Sequence, residues 1–382
     1  MFVRGSTAVP ALAVVGLLVG GCSLSSDEPT PSSGDAVLYG IGVSTDPYGN
    51  SSPNGFGVVA RVTSGRPTKV EIRRDGWCSE RAVWISPGKL VVPERGAQAP
   101  FCSRQVIFNY RAGRLERAGR VPFTVAPNTW DFALSPDRRL VAIERAVRCC
   151  GDGQKPGGVI FVARGDGSRQ RQVTRGHLAG WTPDGRVLFS TGQVFEFRAG
   201  DFLALNLTTG KSKLVLSHRT VAERARVREA EIGSPVWSSD RRYFAARALL
   251  TPAGARKPLR AVVLAEANGK IIRLLRSPYE ISMFAWSPRG QRLAYTTSGF
   301  PDPHELFVLD HATAKPRRLY ATSADHFDWI TWSPDGRWLL IDEEHQNRWL
   351  LVRADRSGTR RPLPRLGGRP LWCCPQNAFS AR

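Results

Sequence analysis

Two groups of residues in this chain have types and spacing that could do chemistry. The first is a run of carboxylates and imidazoles: Asp302 and His304, then Asp325, His326 and Asp328, then Asp342, Glu343, Glu344 and His345. Imidazole and carboxylate side by side can hold a divalent cation or exchange protons as general acid and base. The plainer reading is a set of solvated polar loops, and the rest of the sequence favours it. There is no G-x-S-x-G elbow, no H-E-x-x-H pair and no Gly-rich phosphate loop. An enzyme is therefore the less favoured class. No cofactor is required, and a divalent cation is the one these loops could hold.

The second group is cysteine. Beyond Cys22 the chain carries Cys78, Cys102, Cys149, Cys150, Cys373 and Cys374. An even count in an exported chain suggests disulfides. The adjacent pairs, Cys149-Cys150 and Cys373-Cys374, could close on themselves or cross-link elsewhere. A four-thiolate zinc site is the weaker alternative, because no C-x-x-C spacing is present.

Export itself is read from the first residues. Arg4 gives a weak basic start, and Ala8 to Val19 is apolar but short for a membrane span. The stretch ends Val19-Gly20-Gly21-Cys22, which resembles a bacterial lipobox, with Cys22 as the lipidated residue. Residues 1–21 then form the signal peptide. Residues 22–35, rich in Ser, Pro, Asp and Glu, cannot bury apolar surface and form a flexible tether. The expected address is the extracytoplasmic face of a membrane, held by the N-terminal lipid.

The formal net charge is +21. Such a balance attracts anionic lipid, nucleic acid or acidic polymer. The charges form no block, however, and the densest runs, Arg224 to Arg228 and Arg353 to Arg365, hold only a few basic residues each. No basic stretch alternates with aromatics, so nucleic acid is not expected.

Elements that could position these groups come from a repeat. An apolar strand, often ending in Trp, runs into Ser-Pro-Asp-Gly or a variant, and a second apolar strand follows. Copies centre on Trp84-Ile85-Ser86-Pro87, Ser135-Pro136-Asp137, Trp181-Thr182-Pro183-Asp184, Trp237-Ser238-Ser239-Asp240, Trp286-Ser287-Pro288 and Trp332-Ser333-Pro334-Asp335. They stand about 46 to 56 residues apart, the size of a four-stranded propeller blade. A second set of polar turns, from Thr63-Ser64-Gly65 to Arg356-Ser357-Gly358, reads as the hairpin between the outer two strands. There are more hairpins than Trp-containing motifs, and Leu371-Trp372-Cys373-Cys374-Pro375 is a degenerate motif at the C-terminal end. The expectation is an all-β fold: a single propeller over residues 36–382 with four-stranded blades. Seven blades are favoured over six. The ring closes where the N-terminal strands pair with a C-terminal inner strand, leaving no long exposed edge.

Over roughly residues 36–377 these repeats resemble the TolB-like, WD-repeat-like propellers of bacterial envelope proteins, and in particular the TolB-like lipoproteins. The resemblance implies architecture and says little about activity. TolB carries an additional N-terminal α/β domain that this chain lacks, so TolB's own role is not carried over.

Blade geometry then places the candidate residues. Loops that enter an inner strand and loops between the middle strands share one face. Cys78 and Cys102 fall on that face in one blade and are paired on this basis. The His and acidic residues above fall on the same face, in loops of the fifth and sixth complete blades. The favoured function is a binding or scaffold protein at the cell envelope, acting as a monomer on an envelope protein, a peptide or a glycan. The alternatives are a hydrolase or lyase using the His and acidic residues, and a receptor that holds an anionic wall polymer through arginine.

Overall fold

The computed structural model describes residues 36–41, 44–45, 51–52, 55–60, 62, 68–73, 83–86, 89–95, 102–111, 114–120, 129–137, 139–146, 158–164, 168–191, 200–233, 235–288, 290, 292–299, 303–323, 327–343, 348–355, 357–364 and 371–373. Local turn chemistry comes first. Ser135 Oγ donates to Asp137 Oδ1 at 2.6 Å and accepts the Leu140 N–H at 2.9 Å. Ser333 repeats this with Asp335 at 2.6 Å and the Trp338 N–H at 2.9 Å. Ser238 does so with Asp240 at 2.7 Å and the Tyr243 N–H at 3.0 Å. The buried hydroxyl therefore ties the turn to the first residue of the next strand, which forces the chain to reverse. The Ser135 hydroxyl and the Arg139 N–H also hold the Asp137 carboxyl below the usual carboxylate range.

Strands form between these reversals. The chain begins with β1 (Ala36–Ile41), a small hairpin of β2 (Ser44–Thr45) and β3 (Ser51–Ser52), then β4 (Gly55–Ala60) and β5 (Thr68–Arg73). A four-strand unit follows: β6 (Val83–Ser86), β7 (Lys89–Arg95), β8 (Cys102–Arg111) and β9 (Arg114–Arg120). The next is β10 (Thr129–Leu134), β11 (Leu140–Ala146), β12 (Gly158–Arg164) and β13 (Arg171–Arg175). Then come β14 (His177–Trp181), β15 (Val187–Ser190), β16 (Phe202–Leu205) and β17 (Ser212–Leu216). Helix α1 (His218–Ala225) leads to β18 (Glu229–Ile232), β19 (Val236–Trp237), β20 (Tyr243–Thr251), β21 (Leu259–Glu266) and β22 (Ile271–Ser277). Two further units are β23 (Glu280–Trp286), β24 (Leu293–Ser298), β25 (His304–Leu309) and β26 (Arg317–Thr322), and β27 (Phe327–Trp332), β28 (Trp338–Glu343), β29 (Arg348–Arg353) and β30 (Arg360–Pro364). The described chain ends in β31 (Leu371–Cys373).

The described strands form six four-stranded antiparallel sheets, one five-stranded sheet and the β2–β3 hairpin. The fold is an all-β propeller. In the five-stranded sheet the innermost position is split, so that β18 and β19 both pair with β20. One sheet draws on both ends of the chain: β31 pairs with β1 through Ala36↔Cys373, Val37↔Trp372 and Leu38↔Leu371. The pairing expected between the N-terminal strands and a C-terminal inner strand is present.

Five seams between neighbouring sheets have an apolar filling among the described residues. Ala142 and Ile160 pack with Trp181 and Val187, and Leu188 and Phe202 with Phe244 and Val263. Leu264 and Leu275 meet Ile281 and Trp286, and Leu306 and Val308 meet Ile330 and Leu339. Leu340 and Trp349 meet Val37 and Trp372 at the closing seam.

The motif tryptophans add a directed bond to this packing. Trp181 Nε1 donates to Ala133 O, Trp286 Nε1 to Val236 O and Trp332 Nε1 to Ala285 O, each at 2.8 Å. Each acceptor lies two residues before the motif hydroxyl of the preceding sheet. Trp237 breaks the pattern. Its Nε1 is buried with no hydrogen-bond partner among the described residues. It lies 4.0 Å from where a Cβ on Gly180 would stand, and the β14–β15 register slips between Leu178 and Gly180. Trp286→Phe and Trp332→Phe should each lower stability by about 1 kcal/mol through the lost bond. Trp237→Phe should cost less, as read by urea unfolding midpoints. Equal losses at all three positions would contradict the assignment.

Arginine links the rims of the sheets. Arg171 on β13 donates to Leu207 O at 3.0 Å, in the hairpin of the next sheet. Arg317 on β26 donates to Asp355 O at 2.8 Å and Ala354 O at 3.0 Å. Arg273 on β22 donates to Thr313 O at 3.1 Å and also to Ala314 O. Much of the rim charge therefore faces neutral carbonyls, which is one reason the net charge is so high. Between β17 and the β21–β22 hairpin the contact is made by glycine instead. A Cβ on Gly269 (φ +91) would lie 1.5 Å from Val215 O, so only glycine lets the two backbones meet there.

Candidate functional site

The propeller has two faces. The Ser-Pro turns and the outer hairpins lie on a turn face. The starts of the first and third strands and the ends of the second and fourth lie on a loop face. The predicted His and acidic residues map to the loop face, but not all of them lie in loops. His304 opens β25, Asp328 is the second residue of β27, and Asp342 and Glu343 end β28. Strand pairing reaches Asp342 and Glu343 because β28 runs ten residues past its motif hydroxyl, Ser333, and Glu343 still pairs with Phe327 and Arg348.

That register carries a feature the sequence reading missed. Counting nine residues on from the motif hydroxyl gives Glu144, Arg247, Thr296 and Asp342. Ser190 stands at the same place, where the turn is one residue shorter. Every one is polar, after a stretch of the same strand in which apolar residues predominate. Glu144 is 4% exposed, Ser190 1%, Thr296 0% and Asp342 2%. The signal lies in the sequence once the repeats are aligned on the motif hydroxyl, beyond the turn that defines the motif.

Glu144 shows what the position does. Its Oε1 lies 2.8 Å from His177 Nδ1, and its Oε2 accepts the Leu178 N–H at 2.7 Å. Both partners belong to the first strand of the next sheet. Room for this carboxylate depends on glycine, since a Cβ on Gly158 would stand 2.6 Å from Glu144 Oε1 and 2.4 Å from Gly176 O. Arg247 occupies the same place two seams further round, facing Glu280. Burial pushes its pKa down, while the Glu280 carboxylate pulls it up.

Glu343 lies one residue further along β28 and so faces the opposite seam. It is fully buried, accepting Tyr320 Oη at 2.7 Å and Arg348 Nε at 2.5 Å. Burial and this carboxylate raise the Tyr320 pKa, and the same carboxylate raises that of Arg348. Phe327 packs beside Tyr320, with ring centroids 6.0 Å apart, and meets the His304 ring edge-on at 6.3 Å. Glu305, next to His304, is paired with Arg318 at 2.6 Å. The structure thus brings His304 and Glu343 to one seam, around Phe327 and Tyr320. On the outer side of that seam, Tyr320, Arg318, Ser357, Gly358 and Arg360 line a groove of about 400 Å³. The Arg360 guanidinium sits 5.3 Å over the Tyr320 ring.

Asp302, Asp325, His326, Glu344 and His345 lie outside the described residues, as do Cys22, Cys78, Cys149, Cys150 and Cys374. Cys102 opens β8 and Cys373 ends β31. Among the described residues no three His, Cys, Asp or Glu side chains converge as a metal site would require. None of the described helices is long and apolar enough to cross a membrane. A helix was also not expected in this chain. Ser217 caps α1 by accepting the Thr220 N–H, and Val221, Ala222 and Ala225 are its buried face. The cap and the apolar spacing were readable, but the surrounding arginines hid them.

No protein-family model and no curated protein matches the sequence. Solved structures do match in shape. An oligogalacturonate lyase in complex with manganese aligns with a TM-score of 0.53 and 12% identity, covering 88% of this chain and 96% of the lyase. The periplasmic gluconolactonase of Pseudomonas aeruginosa aligns with a TM-score of 0.50 and 16% identity, covering 88% of this chain and 97% of that one. A protein assigned as TolB from Agrobacterium tumefaciens aligns with a TM-score of 0.43 and 15% identity over 79% of this chain and 94% of its own. The likeness is to propellers as a fold and is not specific to the TolB type.

Proposed function

We propose that this chain is a lipid-anchored, extracytoplasmic binding protein, a seven-bladed ring that presents its loop face to an envelope partner. One observation carries this reading. Two buried carboxylates of the loop face act as ties between structural elements: Glu144 holds His177 and the Leu178 N–H, and Glu343 holds Tyr320 and Arg348. A general acid or base needs a free lone pair aimed at substrate. These oxygens are spent on inter-sheet and inter-strand bonds, which stiffen a platform instead.

The chain ends suit the anchor. Ala36 pairs with Cys373 at the end of an inner strand, so the described chain begins on the turn face. A tether from Cys22 then leads from the turn face and leaves the loop face outward. Fourteen residues reach at most about 50 Å when extended, enough to let the ring tilt but not leave the membrane surface.

The test is crosslinking and recovery of the full chain from its own envelope. Ser323→Trp places a bulky group on the loop face, and Lys211→Trp places one on the turn face. A partner that is lost with Ser323→Trp and kept with Lys211→Trp is the expected result. Recovery of only abundant bystanders, or equal loss with both variants, would sink the reading.

A further inference from the structure

The five-stranded sheet rises above its neighbours on the loop face. β20 has nine residues and β21 eight, against six each in β24, β25, β28 and β29. Three extra residues add roughly 10 Å of height. Its packing continues the adjoining seam: Val221, Ala222 and Ala225 of α1 join Ala230, Ile232 and Leu250 in the same buried cluster as Leu188, Phe202 and Phe244. It is also locked in place. The Arg228 N–H donates to Thr251 O at 2.9 Å, and Arg276 Nη2 to Ala225 O at 2.5 Å.

The surface of this tongue is cationic. Arg219, Arg224, Arg226 and Arg228 are exposed around α1, and Arg256 and Lys257 are exposed in the β20–β21 hairpin, whose Thr251 carbonyl accepts the Arg228 N–H. Several arginines elsewhere are occupied: Arg348, Arg318 and Arg353 pair with carboxylates, and rim arginines such as Arg171 and Arg317 bind carbonyls, while Arg164, Arg169 and Arg175 are exposed on another sheet. Among the described residues, no ion pair or side-chain hydrogen bond engages the tongue cations. The carboxylates on the same surface, Glu223 and Glu229, are fewer, and Asp201 is taken by His218 at 2.8 Å. Among the described residues no exposed aromatic stands among the cations, so nothing there offers bases or sugar rings a stacking surface.

We infer that this tongue is the docking site for a linear polyanion bearing repeated phosphate groups, held by arginine forks. The inference rests on the binding-protein reading and names its partner class. Arginine presents a planar pair of donors that matches a phosphate, and a row of them reads charge spacing without reading bases. The tongue points away from the face where the tether begins, which suits a polymer reaching in from outside the membrane.

Arg226 makes a clean test possible. It holds φ 55 at the C-terminal cap of α1, a conformation glycine adopts without strain. Arg226→Gly therefore removes a cation without loosening the fold. The full chain in neutral detergent is titrated with long-chain inorganic polyphosphate at several salt concentrations. The wild type should bind, with affinity falling as salt rises. Arg224→Ser, Arg226→Gly and Arg228→Ser together should lower affinity about 10-fold at low salt and flatten the log–log salt slope by roughly 2. The control combines Arg164→Ser, Arg169→Gly and Arg175→Ser, the same charge change on another sheet, and should bind nearly as the wild type does. Equal loss in both variants would reduce the effect to net charge and overturn the site. Tighter binding to polygalacturonate, anionic vesicles or single-stranded DNA than to polyphosphate would overturn the partner. A protein partner lost with Ser323→Trp but indifferent to the tongue variant would also overturn it, while leaving the binding-protein reading standing.

Discussion

Deleting the residues after Gly368 should abolish the single cooperative melt of the domain. The deletion removes β31, and with it the only inner strand of the sheet formed by β1, β4 and β5. Val37, Val62, Leu340, Trp349, Leu351, Leu363 and Trp372 form one buried cluster at that seam. Trp372 alone is 4% exposed, and replacing a buried tryptophan with alanine typically costs about 3–5 kcal/mol. Losing the strand pairing and opening the ring should add to that, giving a loss above about 5 kcal/mol, comparable to a domain's whole stability. Trp372→Ala, which keeps the strand, should fall between wild type and truncation. A truncated chain that keeps the full unfolding midpoint and slope would show that the chain ends do not close the ring.

Glu343→Ala should cost about 2–4 kcal/mol, the second-largest effect. The carboxylate is fully buried, and its two partners come from different strands, Tyr320 on β26 and Arg348 on β29. Removing one member of a buried pair leaves the other charge without compensation, which is the expensive direction. The Arg348 side chain is 36% exposed, so water relieves part of that cost and keeps the figure below the extreme. Glu343→Gln should cost less, because an amide oxygen still accepts from one partner. Tyr320→Phe in the Glu343→Ala background should cost little further, since the bond it would break is already gone. Chemical unfolding of the double-mutant cycle measures this. Full additivity would mean that the two side chains do not interact.

The two predictions differ in how far sequence reading could reach them. The truncation was legible, because Leu371-Trp372 copies a motif and an unpaired hairpin at the other end needs an inner strand. Glu343 was legible only as a candidate for chemistry. Tyr320 lies 23 residues before it, and Glu144 and His177 are 33 residues apart. Neither spacing belongs to any local motif. Both pairs exist because adjacent sheets bring the end of a second strand against a neighbouring one, which only the packing decides. The loop assignment failed for the same reason: β28 pairs through Glu343, while a string of charged residues reads as solvent-exposed.

The arginines divide in a similar way. Arg353, which opens the second dense run, is bonded to Asp355 at 2.5 Å, and its guanidinium lies 5.9 Å from the Trp338 ring. Arg224, Arg226 and Arg228 of the first run stand exposed on the tongue. In composition the two runs look alike. What separates them is that a helix and two lengthened strands lift one run clear of the acceptors that occupy the other.

The repeat, the turn and the strand order were set by the sequence alone, because their causes are local. A hydroxyl reaches the N–H five residues on, proline fixes a dihedral, and apolar strands follow at blade spacing. The roles of individual charged groups were decided by the tertiary structure, because a carboxylate or guanidinium is defined by what stands opposite it. Glu144 and Glu343 became ties, the rim arginines became links between hairpins and strands, and the tongue cations remained facing solvent. Burial and partner geometry make that difference, and both arise only when the sheets meet.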